Sequence, residues 1–251
     1  MLEIAIEGPL ATLTLNRPDK RNAMSDALLA QIDAFFSAPP AGVKVALMTG
    51  AGGNFCAGLD LSEHVGRMEA EAVMRHSRGW HAALNRIQFG GLPVVSALQG
   101  AVIGGGLEIA TATHVRVADA SAFFQLPEGR RGIFIGGGAS VRVGRILGAD
   151  RMTEMMLTGR RYDAAQGLSL GLVHYLVDDP LAEARALAMQ IAGNAPLSNY
   201  IMIQALSRID DMGRDDGFFT ESLCAAIAQT STDAREGLSA FLQKRDPRFR
   251  G

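Results

Sequence analysis

Three times along the chain, an apolar run ends in a cluster of glycines and continues toward a helix-like segment. Apolar runs of this length are typical of buried strands. The run VKVALMTG (43–50) enters the loop AGGNFCAG, and VVSALQGAV (94–102) enters GGG and LEIATAT. Segment 114–125 predicts two short strands, followed by LPEGRRGIFIGGG and a helix that starts near Ala139. This uneven quasi-repeat of strand, glycine loop and helix predicts an α/β core.

The two ends of the chain differ in character. Two alternating runs, 2–7 and 10–15, flank Gly8-Pro9 and predict a β-hairpin. Ser25 is placed to cap a helix whose apolar residues have helical spacing. After about Val177, four helices are expected, over 181–192, 196–207, 217–228 and 233–244, with an exposed linker at 210–217. We therefore expect a core over 1–192 and a helical C-terminal region over 193–251.

The composition excludes several classes of protein. The chain is 48% hydrophobic, and its formal charge of −2 provides no basic excess for nucleic acid or anionic lipid. Cys56 and Cys224 lie far apart without CxxC spacing, which disfavours a disulfide scaffold or a zinc site. The N-terminus has Glu3 and no signal-peptide pattern. The uncharged window 87–107 is interrupted by glycines and Pro93, so we expect no membrane span. The cysteine usage fits a reducing setting, and we expect a cytoplasmic location.

The glycine loops are expected to present free backbone N–H groups where strands enter helices. Such groups stabilise a phosphate or an oxyanion that develops during a reaction. The sequence contains neither GxxxxGK[ST] nor, after a strand, GxGxxG, since Phe55 stands where the third glycine belongs. The protease motif HExxH is also absent. An oxyanion-binding role therefore remains.

Two glutamates lie next to these loops. Glu108 is in the first turn of the helix after GGG, and Glu128 follows Pro127 in a predicted loop. Taken singly, Glu108 could be a solvated residue matched to the helix dipole, and Glu128 a surface turn residue. Taken together, two carboxylates beside an oxyanion hole are what proton transfer next to a carbonyl requires.

Six segments in this order resemble the crotonase, or enoyl-CoA hydratase/isomerase, superfamily over essentially the whole chain. They are NRPDKRNAM (16–24), TGAGGNFCAGLDL (49–61), QGAVIGGGLEIA (99–110), FFQLPEG (123–129), LTGRRYDAAQGLSLGLVHYLV (157–177) and FLQKRDPRF (241–249). The resemblance implies a crotonase-type ββα spiral core with a helical C-terminal trimerisation region. It also implies self-association as a trimer or a dimer of trimers.

The resemblance also assigns site residues. The oxyanion hole would be the backbone N–H groups of Leu59 and Gly105. Other positions would contact the coenzyme A part of an acyl-CoA substrate. Ala57, Asp60 and Leu61 would line its channel, and Lys20 and Arg21 would approach its phosphates. Lys244 or Arg245 of a neighbouring subunit could approach the phosphates as well. Coenzyme A enters as part of the substrate, so the resemblance implies no separate cofactor and no metal.

The two glutamates favour one reaction within the superfamily. In its hydratases, acids at the positions of Glu108 and Glu128 hold a water that adds to C3 of a trans-2-enoyl-CoA. Glu108 would activate the water and Glu128 would protonate C2. The alternatives are a Δ3,Δ2-enoyl-CoA isomerase, a hydroxycinnamoyl-CoA hydratase-lyase, a hydrolase, or a silent scaffold that binds CoA or RNA.

The segment after Glu128 departs from the hydratase pattern. Arg130 and Arg131 occupy positions that are usually aliphatic, and Ile135 replaces a proline. Either both arginines point outward, or one faces the acyl pocket and pairs with a polar or carboxylated substrate. A long helix between the two oxyanion loops is expected to shape that pocket. Its candidates, none assigned a catalytic role, are His64, His76, Trp80 and His81.

Overall fold

The computed structural model of the chain describes residues 1–63, 65 and 69–249. Within these residues the protein is built from nine strands and ten α-helices, and three single turns of 3-10 helix lie between them. The strands are β1 (Leu2–Glu7), β2 (Leu10–Leu15), β3 (Val45–Gly50), β4 (Val94–Leu98), β5 (Ala101–Ile103), β6 (Val115–Ala118), β7 (Phe123–Gln125), β8 (Arg161–Asp163) and β9 (Tyr175–Leu176).

The helices alternate with the strands in the first part of the chain and follow one another in the last part. They are α1 (Asp26–Ser37), α2 (Ala70–Phe89), α3 (Gly105–Ala112), α4 (Ala139–Leu147), α5 (Ala149–Thr158), α6 (Ala164–Ser169), α7 (Pro180–Ala192), α8 (Pro196–Ile209), α9 (Arg214–Gln229) and α10 (Thr232–Leu242). None of the helices in the described part of the chain is both long and apolar enough to cross a membrane.

Two sheets organise the strands. The larger has the order β1-β2-β3-β4-β6-β9, and only its β1–β2 pair is antiparallel. The smaller has the order β5-β7-β8. The predicted hairpin is confirmed with its expected bounds. So is the cap of α1, where the Leu28 N–H donates to Ser25 Oγ at 3.1 Å.

Two predicted boundaries are wrong. The single strand expected over 94–102 is broken at Gly100, which adopts φ +52° and lies so close to Gly53 that a Cβ would be 2.4 Å from the Gly53 carbonyl oxygen. The chain therefore leaves the larger sheet after β4 and enters the smaller one at β5. The linker expected over 210–217 is shorter, because α9 begins at Arg214. Asp215 and Asp216 lie in the first turn of α9, where their negative charges interact favourably with the positive end of the helix dipole and stabilise this earlier start.

The buried apolar side chains form two clusters on the large sheet. The bigger cluster lies between the sheet and α1, α2, α3 and α4, and it includes Trp80 and Leu107. The smaller one is the face of α7, with Ala184 and Ala188, packed on β3, β4 and β6. Helices α8 to α10 follow α7, and the predicted division into 1–192 and 193–251 stays a prediction.

Candidate active site

Glu108 is a buried carboxylate held by the beginning of another helix. The three glycines before it bring α3 close to the loop 56–59, and the side chain of Glu108 is only 5% exposed. Its Oε1 accepts hydrogen bonds from the N–H groups of Gly137, at 2.7 Å, and Ala139, at 3.1 Å. Burial raises the pKa of Glu108, while these amides and the charge of Arg142 oppose the rise. The solvated alternative for Glu108 is therefore wrong.

Glu128 is also buried, although the sequence places it after a proline. It begins the single 3-10 turn Glu128–Arg131 and is 8% exposed. Its Oε2 is buried and has no hydrogen-bond partner in the part of the chain that the structure describes. Burial, reinforced by the charge of Glu108, raises the pKa of Glu128 to about 7, and the charge of Arg131 opposes this rise. The surface-turn alternative is wrong for this residue.

The two glutamates face one cavity of about 300 Å³. Glycines next to each carboxylate provide the room that the side chains occupy. A Cβ on Gly104 would lie 2.8 Å from Glu128 Oε1, and one on Gly137 would lie 2.4 Å from Glu108 Oε2. Since real Cβ atoms do not approach oxygen this closely, a side chain at either position would displace the neighbouring carboxylate. The cavity also has Trp80 in its wall.

Two backbone N–H groups border the same cavity. A Cβ on Gly105 would be 3.5 Å from the nitrogen of Leu59, and a Cβ on Gly58 would be 3.5 Å from the nitrogen of Gly105. Gly58 has φ +96°, a conformation that favours glycine. Among the described residues, neither the Leu59 N–H nor the Gly105 N–H has a hydrogen-bond acceptor. Such a pair can bind an oxygen that gains negative charge.

Backbone hydrogen bonds hold the two loops together. The Cys56 N–H donates to the Ala101 carbonyl at 2.9 Å, and the Ile103 N–H donates to the Cys56 carbonyl at 3.0 Å. On the other side, the Met24 N–H donates to the Gly58 carbonyl, and the Asp60 N–H to the Met24 carbonyl. The segment 56–60 is therefore bonded on both sides, which fixes the direction of the Leu59 N–H.

The residues predicted to contact coenzyme A divide into two groups. Ala57 and Leu61 line the cavity with Leu59. Asp60 does not line it; its carboxylate is paired with Arg17 at 2.8 Å and Lys20 at 2.9 Å. Hydrogen bonds from Ser62 and these two cations hold the pKa of Asp60 well below its usual range.

Arg21 and Lys20 lie on the segment next to that loop. The Arg21 carbonyl accepts a hydrogen bond from the Ala57 N–H at 2.9 Å, and the side chain of Lys20 is about half exposed. Asp60 thus ties the segment that carries both basic residues to the loop that carries Leu59. Contacts of these residues with coenzyme A stay predictions.

The two arginines after Glu128 have different surroundings. Arg130 turns away from the cavity, and its Nη2 donates to the Thr158 carbonyl at 2.6 Å. Arg131 lines the cavity, and its one hydrogen bond to a described residue is a long one, 3.5 Å to the Pro127 carbonyl. Of the two alternatives, the one in which a single arginine faces the cavity matches the structure.

The predicted helix beyond the first loop is α2, and it supplies part of the cavity wall. His76, Ser77 and Trp80 line the cavity, whereas His81 does not. His76 Nε2 also lies at hydrogen-bond distance, 3.0 Å, from Asp26 Oδ1. His64 lies outside the described residues.

Ser77 and Arg142 support the site and were missed in the sequence. The Ser77 hydroxyl donates to the Gly136 carbonyl at 2.6 Å, and Arg142 Nη1 donates to the Gly137 carbonyl at 3.1 Å. Both side chains thus bind the loop whose amides hold Glu108. The sequence offered one hint for Arg142: it is an arginine three residues after the predicted start of a helix that has a buried apolar face.

The described residues contain no cluster of three His, Cys, Asp or Glu side chains that could hold a metal ion. What they do contain is a cavity with two buried carboxylates and two unpaired backbone donors. An arrangement of this kind suits proton transfer beside a carbonyl whose oxygen becomes charged.

Comparison with known proteins gives the class to which this fold and site belong. An enoyl-CoA hydratase from Bacillus anthracis, of known crystal structure, has a TM-score of 0.92 at 31% identity, covering 100% of this chain and 99% of its own. A chain of known structure from Rhodopseudomonas palustris has a TM-score of 0.94 at 44% identity, covering 97% of this chain and 95% of its own. The protein therefore has the crotonase fold, and the predicted α/β core with a helical C-terminal region is confirmed.

The sequence comparison is more specific. The Enoyl-CoA hydratase/isomerase family matches residues 5–251. The 2,3-dehydroadipyl-CoA hydratase of Escherichia coli K12 is 35% identical over 243 residues, which cover 95% of this chain and 94% of that protein. This chain belongs to the enoyl-CoA hydratase/isomerase family.

Proposed function

We propose that the protein is an enoyl-CoA hydratase that adds water across the 2,3 double bond of a trans-2-enoyl-CoA. The observation that carries the proposal is the presence of two buried carboxylates, Glu108 and Glu128, in one cavity with the N–H groups of Leu59 and Gly105, which have no acceptor among the described residues. Family membership and relatives named as hydratases support an activity of the crotonase type on an acyl-CoA.

In this mechanism the thioester oxygen accepts hydrogen bonds from the N–H groups of Leu59 and Gly105. These donors are worth more as the oxygen becomes enolate-like, because its negative charge is then larger. Removing one such donor in other enzymes costs about 3 kcal/mol of transition-state stabilisation. The short segments 56–60 and 104–106 hold the N–H groups of Leu59 and Gly105 in the orientation that the thioester oxygen requires before substrate binds.

The two glutamates divide the work of acid and base. Glu108 is assigned as the base: burial raises its pKa, but the amide hydrogen bonds to Oε1 and the charge of Arg142 act in the opposite direction and orient the carboxylate. Its Oε2 remains for a water, which gives up one proton to Glu108 as its oxygen bonds to C3. Glu128 has a pKa of about 7 and an unpaired Oε2, so it can be protonated and donate to C2. The electron pair of the double bond forms the new C2–H bond, and proton exchange through solvent restores both glutamates.

Further parts of the proposal concern binding, assembly and location. Ala57 and Leu61 line the channel for coenzyme A, Lys20 and Arg21 approach its phosphates, and Asp60 acts there by holding Lys20.

We place the enzyme in the cytoplasm as a trimer or dimer of trimers. Apolar side chains on α9 and α10 that would be covered on assembly are 60–80% exposed: Phe218, Phe219, Leu238, Phe241 and Leu242.

The test is hydration of crotonyl-CoA, followed by loss of the absorbance of the conjugated thioester. Glu108→Gln and Glu128→Gln are compared with the wild type and with Glu183→Gln, a glutamate on α7 that does not line the cavity. We expect rapid turnover in the wild type and the control, and a loss of about a hundredfold or more in each site variant. A wild type that is inert on enoyl-CoA thioesters of every chain length would overturn the proposal.

A further inference from the structure

Arg131 is a cation in the wall of an otherwise largely apolar cavity. It shares that wall with Ile133, Phe134 and Ile135 of its own segment and with Trp80 of α2. Within the described residues it has no carboxylate within ion-pair distance, and its one hydrogen bond, to the Pro127 carbonyl, is at the 3.5 Å limit. Its donors are therefore available to a ligand in the cavity.

The position of Arg131 relative to the proposed chemistry indicates which part of the substrate it meets. The thioester oxygen is placed at Leu59 and Gly105, and the glutamates flank C2 and C3. The coenzyme A side leaves past Ala57 and Leu61, the loop that Asp60 ties to Lys20. The walls that remain for the acyl chain beyond C3 are α2 and the segment 131–137, which carries Arg131.

We infer that Arg131 binds a carboxylate at the far end of the acyl chain, so that the preferred substrates are 2-enoyl-CoA thioesters of dicarboxylic acids. This inference rests on the proposed function, since that function sets the direction of the acyl chain. A guanidinium group matches a carboxylate in shape and charge, and partial exclusion of water by the apolar wall strengthens the pairing. Arg131 is exposed to solvent; a methyl-ended chain would cover part of its guanidinium without offering a partner, which disfavours that chain relative to one that ends in a carboxylate.

The same pairing would assist the proton donor. The uncompensated charge of Arg131 favours the ionised form of Glu128, which cannot donate a proton to C2. A substrate carboxylate bound to Arg131 offsets that charge and returns Glu128 toward its protonated form. The preference should therefore appear in the rate constant as well as in binding.

Binding and turnover are measured separately. Isothermal titration compares succinyl-, glutaryl-, adipyl- and suberyl-CoA, which cannot be hydrated, with the monocarboxylic acyl-CoA of equal carbon number. The proteins are the wild type, Arg131→Met, Arg131→Lys and the control Arg130→Met, whose side chain turns away from the cavity. Hydration of the matching 2-enoyl-CoA pair is then followed for each protein.

For at least one chain length, the wild type should bind the dicarboxylic thioester about tenfold more tightly than its partner. Arg131→Met should remove that preference, Arg131→Lys should retain part of it, and Arg130→Met should leave it unchanged. Equal affinities in the wild type at every length would overturn the inference. So would a preference that survives Arg131→Met, or an equal loss of affinity for all thioesters and for free coenzyme A, which would indicate a phosphate contact.

The two proposals can fail separately. Hydration of monocarboxylic and dicarboxylic thioesters at equal rates and affinities would leave the hydratase and remove the role of Arg131. If the protein shows an Arg131-dependent preference in binding but hydrates no enoyl thioester, the proposed hydratase activity fails and the carboxylate-binding role of Arg131 stands.

Discussion

The carbonyl of Gly137 accepts a hydrogen bond from Arg142 Nη1 at 3.1 Å, while the N–H of the same glycine donates to Glu108 at 2.7 Å. Arg142 is itself anchored to α2, since Nε donates to Gln88 at 2.7 Å and Nη2 to Asn85 at 2.7 Å. The amide that holds the proposed base is therefore fixed from a helix on the other side of the loop. Arg142 is a positioning residue in this arrangement.

Replacing Arg142 with Met should lower kcat by about tenfold to a hundredfold with little change in KM, because misplacement of Glu108 affects the chemical step. Loss of the nearby positive charge should also raise the pKa of Glu108 and move the acidic limb of kcat/KM to higher pH. Arg142→Lys keeps the positive charge but not the hydrogen-bond geometry of the guanidinium. It should therefore bring the acidic limb of the kcat/KM profile closer to its wild-type position than it brings kcat to its wild-type value. Arg145→Met removes an exposed arginine of the same helix, one that pairs with Asp211, as a control. A pH profile unchanged in Arg142→Met would contradict this role.

Gly137→Ala should inactivate the enzyme, whereas Gly136→Ala should not. A Cβ at Gly137 would lie 2.4 Å from Glu108 Oε2 and 2.8 Å from a ring carbon of Trp80, so the carboxylate must move. At Gly136 the nearest atom is the Ser77 hydroxyl at 3.6 Å, an ordinary contact. We expect a loss of about a hundredfold in kcat/KM for Gly137→Ala and less than about threefold for Gly136→Ala. Similar activities in the two variants would show that the position of Glu108 is not critical.

The proposed acid predicts the alkaline side of the pH profile. Glu128 has a pKa of about 7, so its protonated form is lost as the pH rises through that value. The kcat/KM for crotonyl-CoA should therefore fall above about pH 7. In Arg131→Met the fall should begin at higher pH, because the charge of Arg131 lowers the pKa of Glu128. A profile that stays flat to pH 9 would argue against Glu128 as the proton donor.

Glu128 should also make stability depend on pH. Its pKa in the folded chain, about 7, lies above the ordinary value of 4.5, so it binds a proton more strongly when folded. Its contribution to the free energy of unfolding is thus complete below about pH 4.5 and is lost as the pH rises to about 7. The loss is about 3 kcal/mol at most.

Glu128→Gln cannot ionise, so it escapes this loss. Its melting temperature relative to the wild type should increase between pH 5 and pH 8, as measured by thermal unfolding at each pH. Glu183→Gln should show no such trend. A constant difference between Glu128→Gln and the wild type across this range would mean that Glu128 titrates normally.

Asp60→Asn should destabilise the protein and should weaken coenzyme A binding only indirectly. The substitution leaves Arg17, of which only 16% of the side chain is exposed, without its carboxylate partner. We expect a loss of about 2 kcal/mol in the free energy of unfolding, measured by denaturant titration. Asp19→Asn, on the neighbouring turn, is the control. Full stability of Asp60→Asn would show that the pairs with Arg17 and Lys20 contribute little.

Local chemistry in the sequence was enough for many elements. The hairpin of β1 and β2 follows from alternating apolar residues around Gly8-Pro9, and the start of α1 follows from Ser25, because these preferences act between neighbours. The place where β4 ends was not predictable, since all of 94–102 is compatible with a strand. The break arises because Gly100 packs against Gly53, a residue distant in sequence.

The candidate site shows the same division. The sequence by itself determined the residue types, two glutamates and several glycines, and the order of segments by which the family is identified. Whether Glu108 and Glu128 were solvated or buried, and which of Arg130 and Arg131 faced the cavity, depended on the tertiary structure. Burial, desolvation and the meeting of amides with a carboxylate are properties of atoms brought together from separate segments. Glu108, Gly137 and Arg142 are linked by hydrogen bonds only because the fold brings their segments together. Those contacts cannot be seen in the sequence, where Glu108 lies far from the other two residues.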